Sequence, residues 1–341
     1  MAEVRFLSAE AIGGLTTAGE HVDAVRDGYC ERGNGAPTKP RTSLRNDQPA
    51  GLLNSYTAIL PEAGMMGGYM YSAGFESEDA WLLTPLFDAQ TGRPLAVLDG
   101  AAINTYKTGA VGAVGIDALA REDAQVLSVF GSGAQARGQV RGAVTVRDFE
   151  QLLVYSPTPD HRESFAAEMG EAFDLEARAV SSPERAVTPA DVIITATNAS
   201  VPVFDGTDLQ PGTHVTAIGQ YDPTKRELDA ETVRQATYVV DLRERADQDA
   251  GSLLGAIERG AIDHTHIHGE LGAVLTGTVP GRTSETEITV FDSGGTAIET
   301  VASAGLAYRK AVDQDLGSPF PLKPASEVYE GKQGSTTDEL E

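Results

Sequence analysis

The sequence predicts an α/β protein in which a doubly wound parallel sheet is joined to an α+β unit. Between residues 125 and 291, apolar runs of strand length alternate with helical patterns, which is typical of parallel strands with helices on both faces of the sheet. Before residue 100, several strand-length runs follow one another with only turns between them, which indicates the separate α+β unit. The length of 341 residues agrees with about two domains.

The first unit begins with a predicted helix. Apolar residues recur at helical spacing over residues 8–32, and residues 33–40 are rich in turn formers. The predicted strands that follow are residues 52–60, 65–73, 80–87 and 95–98. Residues 101–119 then form a predicted helix whose many alanines and glycines would allow close packing.

The second unit alternates between strands and helices. Its predicted strands are residues 125–130, 151–156, 191–197, 213–218, 237–241 and 287–291. Helices at 135–146 and 161–171 separate the first three strands. After the last strand, residues 296–312 form an amphipathic helix, and the chain from residue 326 onward resembles a polar, acidic and mobile tail.

A glycine turn opens the second unit. Gly131, Gly133 and Ala136 form a G-x-G-x-x-A pattern between a predicted strand and a predicted helix. The first glycine permits a tight turn, the second lets the backbone approach a pyrophosphate, and the third small residue lets helix and strand pack closely. The pattern therefore predicts a dinucleotide site at a helix N-terminus, and a plain tight turn is the alternative.

The choice between NAD and NADP rests on the end of the next strand. An acidic residue there would bind the NAD ribose, but Ser156 and Thr158 occupy this position. These hydroxyls, with Arg162 nearby, could accept a 2′-phosphate, whereas Asp160 keeps NAD open. NADP is slightly favoured over NAD.

The charge of the chain excludes some partners. Asp and Glu number 50 against 26 Lys and Arg, which gives a net charge of −24. This excess argues against binding to nucleic acid and to anionic membranes, both of which need clustered cations. Abundant carboxylates with few lysines favour a protein adapted to high salt, where screening weakens self-repulsion, although an ordinary acidic enzyme is the alternative.

Other classes of protein are excluded by what the chain lacks. Cys30 is the single cysteine, so an intrachain disulfide and a cysteine zinc cluster are impossible. The first residues carry no secretory signal pattern, and no apolar run approaches the roughly 20 residues of a membrane span. We therefore expect a cytoplasmic protein.

Several motifs together resemble the ornithine cyclodeaminase/μ-crystallin family. In chain order they are Arg41-Thr42 after a proline, DAQTGRPLAVLDG, INTYKTGA, FGSGAQA, DVIITATNASVPVF, GTHVTAIGQYDPTKRELD, HGELGAVLTGTVPGR and ITVFDSGGTAIET. Their order and spacing agree with the family from about residue 41 to residue 308.

The resemblance implies an oxidoreductase that passes hydride between nicotinamide and the α-carbon of a small α-imino or α-amino acid. It also implies a homodimer. Residues 1–120 with 296–330 would bind substrate and dimerise, residues 121–295 would form a Rossmann dinucleotide-binding domain, and residues 331–341 would be the tail. Ornithine cyclodeaminase activity, or binding of nucleotide and carboxylate without turnover, are the alternatives.

The resemblance also assigns residues. Arg41 matches the arginine that binds the substrate carboxylate, and Lys107 stands where the family normally has a second arginine. The positions that match cofactor contacts in the family are Ala134, Gln135, Thr195, Thr197, Val215, Ile218, Lys225, Ser293 and Gly294.

Two departures from the family concern proton transfer. A lysine usually follows on the strand after the first arginine, but Tyr69 stands there, or Met70 if the register shifts by one. An aspartate usually follows the AIG segment by two residues, but that place is Tyr221, with Asp222 one position later. Tyr69, Tyr221 and Asp222 are therefore the candidates for proton transfer, and the displaced carboxylate argues against ornithine cyclisation.

Three features are interpreted as structural. The alternating histidines at 264, 266 and 268 resemble half of a metal site, but the matching family segment binds no metal, so no metal site is predicted. The segment at 249–254 resembles a structural turn of the family. Trp81 is interpreted as a core or dimer-contact residue.

Overall fold

The computed structural model describes residues 2–333 and contains two sheets. The first six strands, in chain order, are β1 (Ala2–Leu7), β2 (Thr38–Asp47), β3 (Ala50–Leu60), β4 (Met65–Gly74), β5 (Trp81–Asp88) and β6 (Pro94–Asp99). They lie side by side in the order β1-β6-β5-β4-β3-β2. Only β1 and β6 run parallel among these neighbours; the other pairs are antiparallel.

The second sheet is entirely parallel. Its strands are β7 (Val126–Phe130), β8 (Gln151–Tyr155), β9 (Glu176–Ala179), β10 (Val192–Thr195), β11 (His214–Ala217), β12 (Thr237–Val240), β13 (Ile267–Glu270) and β14 (Thr289–Asp292). Their order is β13-β12-β14-β11-β10-β7-β8-β9. The order reverses between β7 and β10, and such a reversal places a ligand crevice at the carboxyl ends of these strands. The predicted doubly wound sheet is confirmed.

The chain then returns to the first sheet. Strand β15 (Ser318–Leu322) pairs antiparallel with β1 at the sheet edge. The helices, in chain order, are α1 (Ala9–Ile12), α2 (Ala18–Gly33), α3 (Gly100–Leu119), α4 (Ala134–Ala143), α5 (Pro159–Phe173), α6 (Pro183–Val187), α7 (Ala230–Gln235), α8 (Arg243–Asp249), α9 (Gly251–Glu258), α10 (Leu271–Leu275), α11 (Ala297–Asp313) and α12 (Ala325–Gln333). Helix α11 packs against α2, α3, β3 and β4, so it completes the core of the first sheet.

Side chains alternate across the middle strands of the first sheet, as the pleat requires. Tyr56 and Tyr69 are directly opposite each other on β3 and β4 and face α11. The opposite face, which we call the outer face, carries the apolar side chains of Leu44, Leu53, Ile59, Met66, Met70, Trp81, Leu83 and Phe87. Trp81 is 71% exposed, so its interpretation as a core residue is wrong for the single chain.

Some predicted boundaries need correction. The predicted helix over residues 8–32 is two helices, because Gly13 and the left-handed Gly14 end α1 and Thr17 caps the start of α2. The tail predicted from residue 326 is helical through its first eight residues, in α12. Residues 334–341, the remainder of that tail, lie outside the described residues.

Helix α3 joins the two sheets by packing directly on α4. A Cβ added to Gly109 would lie 2.1 Å from the carbonyl oxygen of Gly138, and one on Gly142 would lie 2.3 Å from that of Gly109. The predicted small-residue helix is therefore confirmed, and its glycines allow the close packing that was expected. Among residues 2–333, no helix combines the length and apolarity needed to cross a bilayer.

Candidate active site

A cavity of about 320 Å³ lies where the carboxyl ends of the parallel strands face the first sheet. Its walls come from β2–β5, from α3 and α4, and from the loops after β10, β11 and β14. The lining residues are Arg41, Tyr56, Tyr69, Tyr71, Ala80, Leu82, Asn104, Lys107, Thr108, Gln135, Ala196, Thr197, Asn198, Ile218, Gly219, Tyr221, Ser293, Gly294 and Gly295. Many of these residues fall in the motifs singled out from the sequence, so the fold brings those motifs together.

The glycine turn has the geometry that a dinucleotide site needs. Gly131 follows β7 with a φ of +117°, and a Cβ there would lie 2.4 Å from the carbonyl oxygen of Ala196. Gly133 is the N-cap of α4, and a Cβ on it would meet no described atom within 4 Å, which leaves room for a ligand to approach the backbone. Ala136 is fully buried against the sheet. The turn therefore fits a pyrophosphate at the N-terminus of α4.

Several predicted cofactor residues lie at the cavity. Gln135, Thr197, Ile218, Ser293 and Gly294 line it, and Ala134 precedes Gln135 in the first turn of α4. The Gln135 side-chain oxygen is buried without a hydrogen-bond partner among the described residues, so it is available to a ligand.

Three of the positions that match cofactor contacts in the family, Thr195, Val215 and Lys225, are not among the residues that line the cavity. Thr195 is buried, and its hydroxyl donates to Glu227 at 2.9 Å. Val215 lies inside β11 between its neighbouring strands, and Lys225 is exposed on the loop before α7. Thr195 and Val215 lie inside the sheet and support its strands. The sequence pattern of a strand does not show which of its side chains are enclosed by the sheet and which lie at the cavity.

Glu227 holds the two strand ends beside the cavity together. Its carboxylate accepts hydrogen bonds from the Thr197 hydroxyl at 2.6 Å, the Thr197 backbone N–H at 2.7 Å and the Gly219 N–H at 2.8 Å. Burial raises the pKa of Glu227, and these hydrogen bonds oppose the rise.

The end of β8 carries hydroxyls and a guanidinium. Ser156 is buried and lies 3.3 Å from the Ser132 hydroxyl of the glycine turn, while Thr158 is exposed at the N-cap of α5. Arg162 Nη1 donates to the Ser156 carbonyl at 3.0 Å, which places its positive charge at this strand end.

Arg41 reaches the cavity from a bulge in β2. Register shifts between Lys39 and Thr42, and such a bulge turns a side chain out of the regular alternation. The guanidinium is buried, with Nη1 2.8 Å from Asp249 Oδ2 and Nη2 2.6 Å from the Gly294 carbonyl. Its Nε has no hydrogen-bond partner among residues 2–333. The guanidinium stacks on Tyr221, with 4.5 Å between Cζ and the ring centroid.

Lys107 supplies the second cation, from α3. Its Nζ is buried 4.0 Å from Glu299 Oε1 and 5.1 Å from the centroid of the Tyr69 ring. Burial lowers the pKa of Lys107, Glu299 raises it, and Arg41 lowers it further. The net direction is downward, so Lys107 gives up its proton more readily than an exposed lysine.

Sequence reasoning missed the carboxylates behind these cations. Asp249 was interpreted as part of a structural turn, yet it is buried against Arg41. Glu299 lies in the capping box at the start of α11, where its carboxylate accepts from the Thr296 N–H and hydroxyl, each at 2.5 Å. The T-x-x-E spacing was visible in the sequence and could have revealed Glu299, but no local signal pairs Asp249 with Arg41.

Comparison with known proteins decides the family. Residues 3–315 match the ornithine cyclodeaminase/mu-crystallin family. The chain belongs to this family. It is 38% identical, over 68% of its length and 71% of the other's, to a Delta(1)-pyrroline-2-carboxylate reductase of Bacillus cereus.

Two solved structures of the family are also similar. One is the Thermococcus litoralis Delta(1)-pyrroline-2-carboxylate reductase in complex with NADH and L-proline, with a TM-score of 0.88, 33% identity, and coverage of 92% of this chain and 99% of that one. The other is an archaeal alanine dehydrogenase dimer with bound NAD, with a TM-score of 0.88, 30% identity, and coverage of 94% and 100%.

Of the three candidates for proton transfer, two line the cavity and one does not. Tyr69 and Tyr221 line it, but Asp222 does not. Asp222 accepts from the Thr224 N–H at 3.0 Å and from its hydroxyl at 2.7 Å, and Arg45 lies 3.8 Å away, on the far side of Tyr221. Burial raises the pKa of Tyr69, whose hydroxyl donates to the Gly100 carbonyl at 3.4 Å.

The histidines of residues 264–268 are accounted for by local contacts. His266 and His268 each lie within 3 Å of a backbone carbonyl oxygen, of Val233 and Pro280 respectively, and His264 is exposed. No group of three metal-ligating side chains occurs within the part of the chain that the structure describes.

Proposed function

We propose that the protein is an NAD(P)H-dependent reductase of small cyclic α-imino acids of the pyrroline-2-carboxylate type. One observation carries the proposal. The cavity is lined by Arg41, Lys107 and four tyrosines, and no Asp or Glu belongs to its lining among residues 2–333. A substrate with one carboxylate and an apolar ring matches these walls. A diamine such as ornithine would bring a second ammonium into a cavity that offers it no counter-charge.

The residues around the cavity would divide the work of an imine reduction. A bound nicotinamide supplies hydride to the α-carbon. Arg41 binds the carboxylate through its guanidinium, which the loop at Ser293 and Gly294 holds beside the nicotinamide side of the cavity. Lys107 donates a proton to the substrate nitrogen, because its buried Nζ faces the same cavity and its lowered pKa makes its ammonium a stronger acid.

The proton and electron balance fits this arrangement. Hydride adds to the carbon of the protonated C=N bond, and the π electrons move to nitrogen. The neutral amine formed then takes one further proton from the Lys107 ammonium, which is left as a neutral amine. The tyrosine rings exclude water from the cleft, which protects the imine from hydrolysis.

We further propose that NADPH is used at least as well as NADH, although the solved relatives named above contain NAD or NADH. Ser156, Thr158 and Arg162 stand where NAD-dependent enzymes place a carboxylate. Arg162→Ser should lower kcat/KM for NADPH about tenfold and leave that for NADH within about twofold. An equal loss with both cofactors would count against a 2′-phosphate contact.

The assembly we propose is a homodimer formed through the outer face of the first sheet. This face aligns Ile59, Met66 and Phe87 across three strands, and Met70 and Leu83 across two, with no described element packed over it. Monomeric proteins rarely expose such a contiguous apolar patch. Residues 1–120 with 296–330 would then form the substrate and dimer domain, and residues 121–295 the nucleotide domain.

The surroundings we propose are a cytoplasm of high salt. A reaction that consumes NAD(P)H needs the pool of reduced cofactor inside the cell. The net charge of −24 with only six lysines supports the high salt.

The experiment that tests the function is an assay of NAD(P)H consumption in molar KCl. Pyrroline-2-carboxylate, its six-membered homologue, pyruvate with ammonia, and ornithine with NAD would be compared. We expect the cyclic imino acids to give the highest kcat/KM. Preferred turnover of pyruvate with ammonia would indicate an alanine dehydrogenase, proline formed from ornithine would indicate a cyclodeaminase, and cofactor binding without any turnover would indicate a binding protein.

A further inference from the structure

Arg41 belongs to a closed ring of hydrogen bonds, which we call the charge ring. Its members are four charged side chains, Arg41, Asp249, Arg245 and Asp241, and the backbone of Gly294. Arg41 Nη1 donates to Asp249 Oδ2 at 2.8 Å, and Arg245 Nη1 donates to Asp249 Oδ1 at 3.4 Å. Arg245 Nε donates to Asp241 Oδ1 at 2.8 Å. The Gly294 N–H donates to Asp241 Oδ2 at 3.1 Å, and Arg41 Nη2 donates to the Gly294 carbonyl at 2.6 Å, which closes the circuit.

The ring is buried and extends one step further. Arg245 is completely inaccessible, and its Nη2 also donates to Asp292 Oδ1 at 2.8 Å. Asp292 Oδ2 accepts from the Tyr238 hydroxyl at 2.6 Å. Two guanidinium groups therefore face three carboxylates, with each charge hydrogen-bonded, as buried charges must be.

The ring connects β2 of the first sheet with α8 and with the loops after two paired strands of the second sheet. Arg41 comes from β2 of the first sheet, Asp249 and Arg245 come from α8, and Asp241 and Gly294 follow β12 and β14 of the second sheet. Only the Arg41 and Gly294 members line the cavity. Asp249 and Arg245 lie behind them and do not line it.

We propose that Asp249 is a positioning residue, and that through the ring it fixes the orientation in which Arg41 meets the substrate carboxylate; this inference rests on the function proposed above. Nη1 and Nη2 of Arg41 are each held by a ring member, so the guanidinium plane is set before a ligand arrives. The partnerless Nε and the remaining N–H bonds are then directed in a fixed geometry. A carboxylate that binds a preoriented guanidinium loses less entropy than one that must order it.

The test is a double-mutant cycle with Asp249→Asn and Arg41→Ala. Asp249→Asn keeps the shape and brings the ring and Asp292 to equal numbers of positive and negative charges. We expect the KM for pyrroline-2-carboxylate to rise about tenfold, while kcat stays within about threefold and the Kd for NADH within about twofold. In the Arg41→Ala background, Asp249→Asn should change this KM by less than about twofold, because its effect passes through Arg41.

Two results would overturn the inference. One is an Asp249→Asn enzyme whose KM is unchanged, and the other is a KM that rises again by tenfold in the Arg41→Ala background. If Asp249→Asn alone does not fold, Asp249→Glu replaces it in the cycle, because it keeps the charge but moves the carboxylate away from Arg41 Nη1; a KM that stays unchanged in Asp249→Glu would then overturn the inference.

The matched control is Asp191→Asn. Asp191 also binds an arginine, with 2.7 Å between Arg121 Nη2 and Asp191 Oδ1, but it precedes β10 at the opposite end of the sheet. This variant should be less stable and keep its KM, and an equal rise in KM would count against a specific role for Asp249. If the wild type reduces no imino acid, the proposed function fails, and binding of L-proline to the NAD-loaded protein, about tenfold weaker in Asp249→Asn, then tests the positioning role by itself.

Discussion

Lys107 decides how the cavity responds to pH. It is a buried amine whose pKa is lowered mainly by burial, with Glu299 4.0 Å away as its counter-charge. An amine binds a carboxylate and holds a proton for transfer only while it is protonated. Because the pKa lies below its ordinary value, the protonated form is lost at a lower pH than for an exposed lysine, and activity should fall as pH rises through this pKa.

We therefore predict that Lys107→Arg moves the alkaline fall in kcat/KM to higher pH. Arginine keeps its proton throughout the accessible range, so the descending limb should move upward by at least about one pH unit, even if the maximal rate is lower. The measurement is the pH profile of kcat/KM for pyrroline-2-carboxylate. Lys310→Arg is the control, since Lys310 forms a surface pair with Glu20 and should leave the profile unchanged. An unmoved limb in Lys107→Arg would show that the substrate imine or another group sets it.

At the residue scale, the sequence allowed prediction of the residues that line the cavity better than of those behind it. Arg41, Lys107, Tyr69 and Tyr221 lie in motifs whose spacing can be compared with a family, and all four line the cavity. Asp249 could not be paired with Arg41 because the two are 208 positions apart, and only the fold shows that they meet. The burial of that pair is likewise a property of the whole chain.

At the element scale, central strands were predicted and edge strands were missed. Strands β2, β9, β13 and β15 are the outermost strands of the two sheets, and none was predicted from the sequence. Edge strands are short or polar because one side of each faces solvent, so they lack the apolar runs by which central strands are recognised. β1 was missed as well, although it lies inside the sheet between β15 and β6.

Two glycines of α4 and the turn before it have different roles: Gly138 is needed for helix packing, and Gly133 for the approach of a ligand. A Cβ on Gly138 would lie 2.4 Å from the Thr105 carbonyl oxygen of α3, whereas a Cβ on Gly133 would meet no described atom within 4 Å. Gly138→Ala should therefore lower the free energy of unfolding by about 2 kcal/mol, because it pushes α3 and α4 apart. Gly133→Ala should change it by less than about 0.5 kcal/mol.

The affinity for NAD(P)H should fall in Gly133→Ala and not in Gly138→Ala. Gly133→Ala places a methyl group where the pyrophosphate must approach, so we expect NAD(P)H to bind at least about tenfold more weakly. Folded Gly138→Ala should bind it nearly normally. Urea unfolding and fluorescence titration with NADPH measure the two quantities. Normal cofactor affinity in Gly133→Ala would contradict the assignment of this turn to the pyrophosphate.

At the scale of the whole molecule, one sheet serves two surfaces. Strands β3 and β4 direct tyrosines toward the cavity, and β3, β4 and β5 direct apolar side chains toward the outer face. A substitution on the outer face can therefore test assembly while leaving the cavity wall intact.

Met70→Glu should convert the predicted homodimer into a monomer. Met70 is 47% exposed and lies opposite Leu83 in the middle of the outer face, so a carboxylate there would be buried without a partner in a dimer. Sedimentation velocity of the two proteins at equal concentration measures the change. Val201→Glu is the control, because Val201 is also apolar and exposed but lies in the loop after β10. A wild type that sediments as a monomer would refute dimer formation through this face.

The large negative net charge should make the stability of the protein depend on salt concentration. An excess of 24 negative charges destabilises the compact chain when the Debye length is about 30 Å, near 0.01 M salt, and much less when it is about 3 Å, near 1 M. We expect the urea midpoint of unfolding to rise by at least about 1 M between dilute buffer and molar KCl. Replacing the exposed Glu78, Glu163 and Glu171 by glutamine removes three of these charges, so it should raise stability in dilute buffer and change it little in molar KCl. Equal stability of the wild-type protein at both salt concentrations would favour an ordinary acidic enzyme, because self-repulsion would then be too weak to require screening.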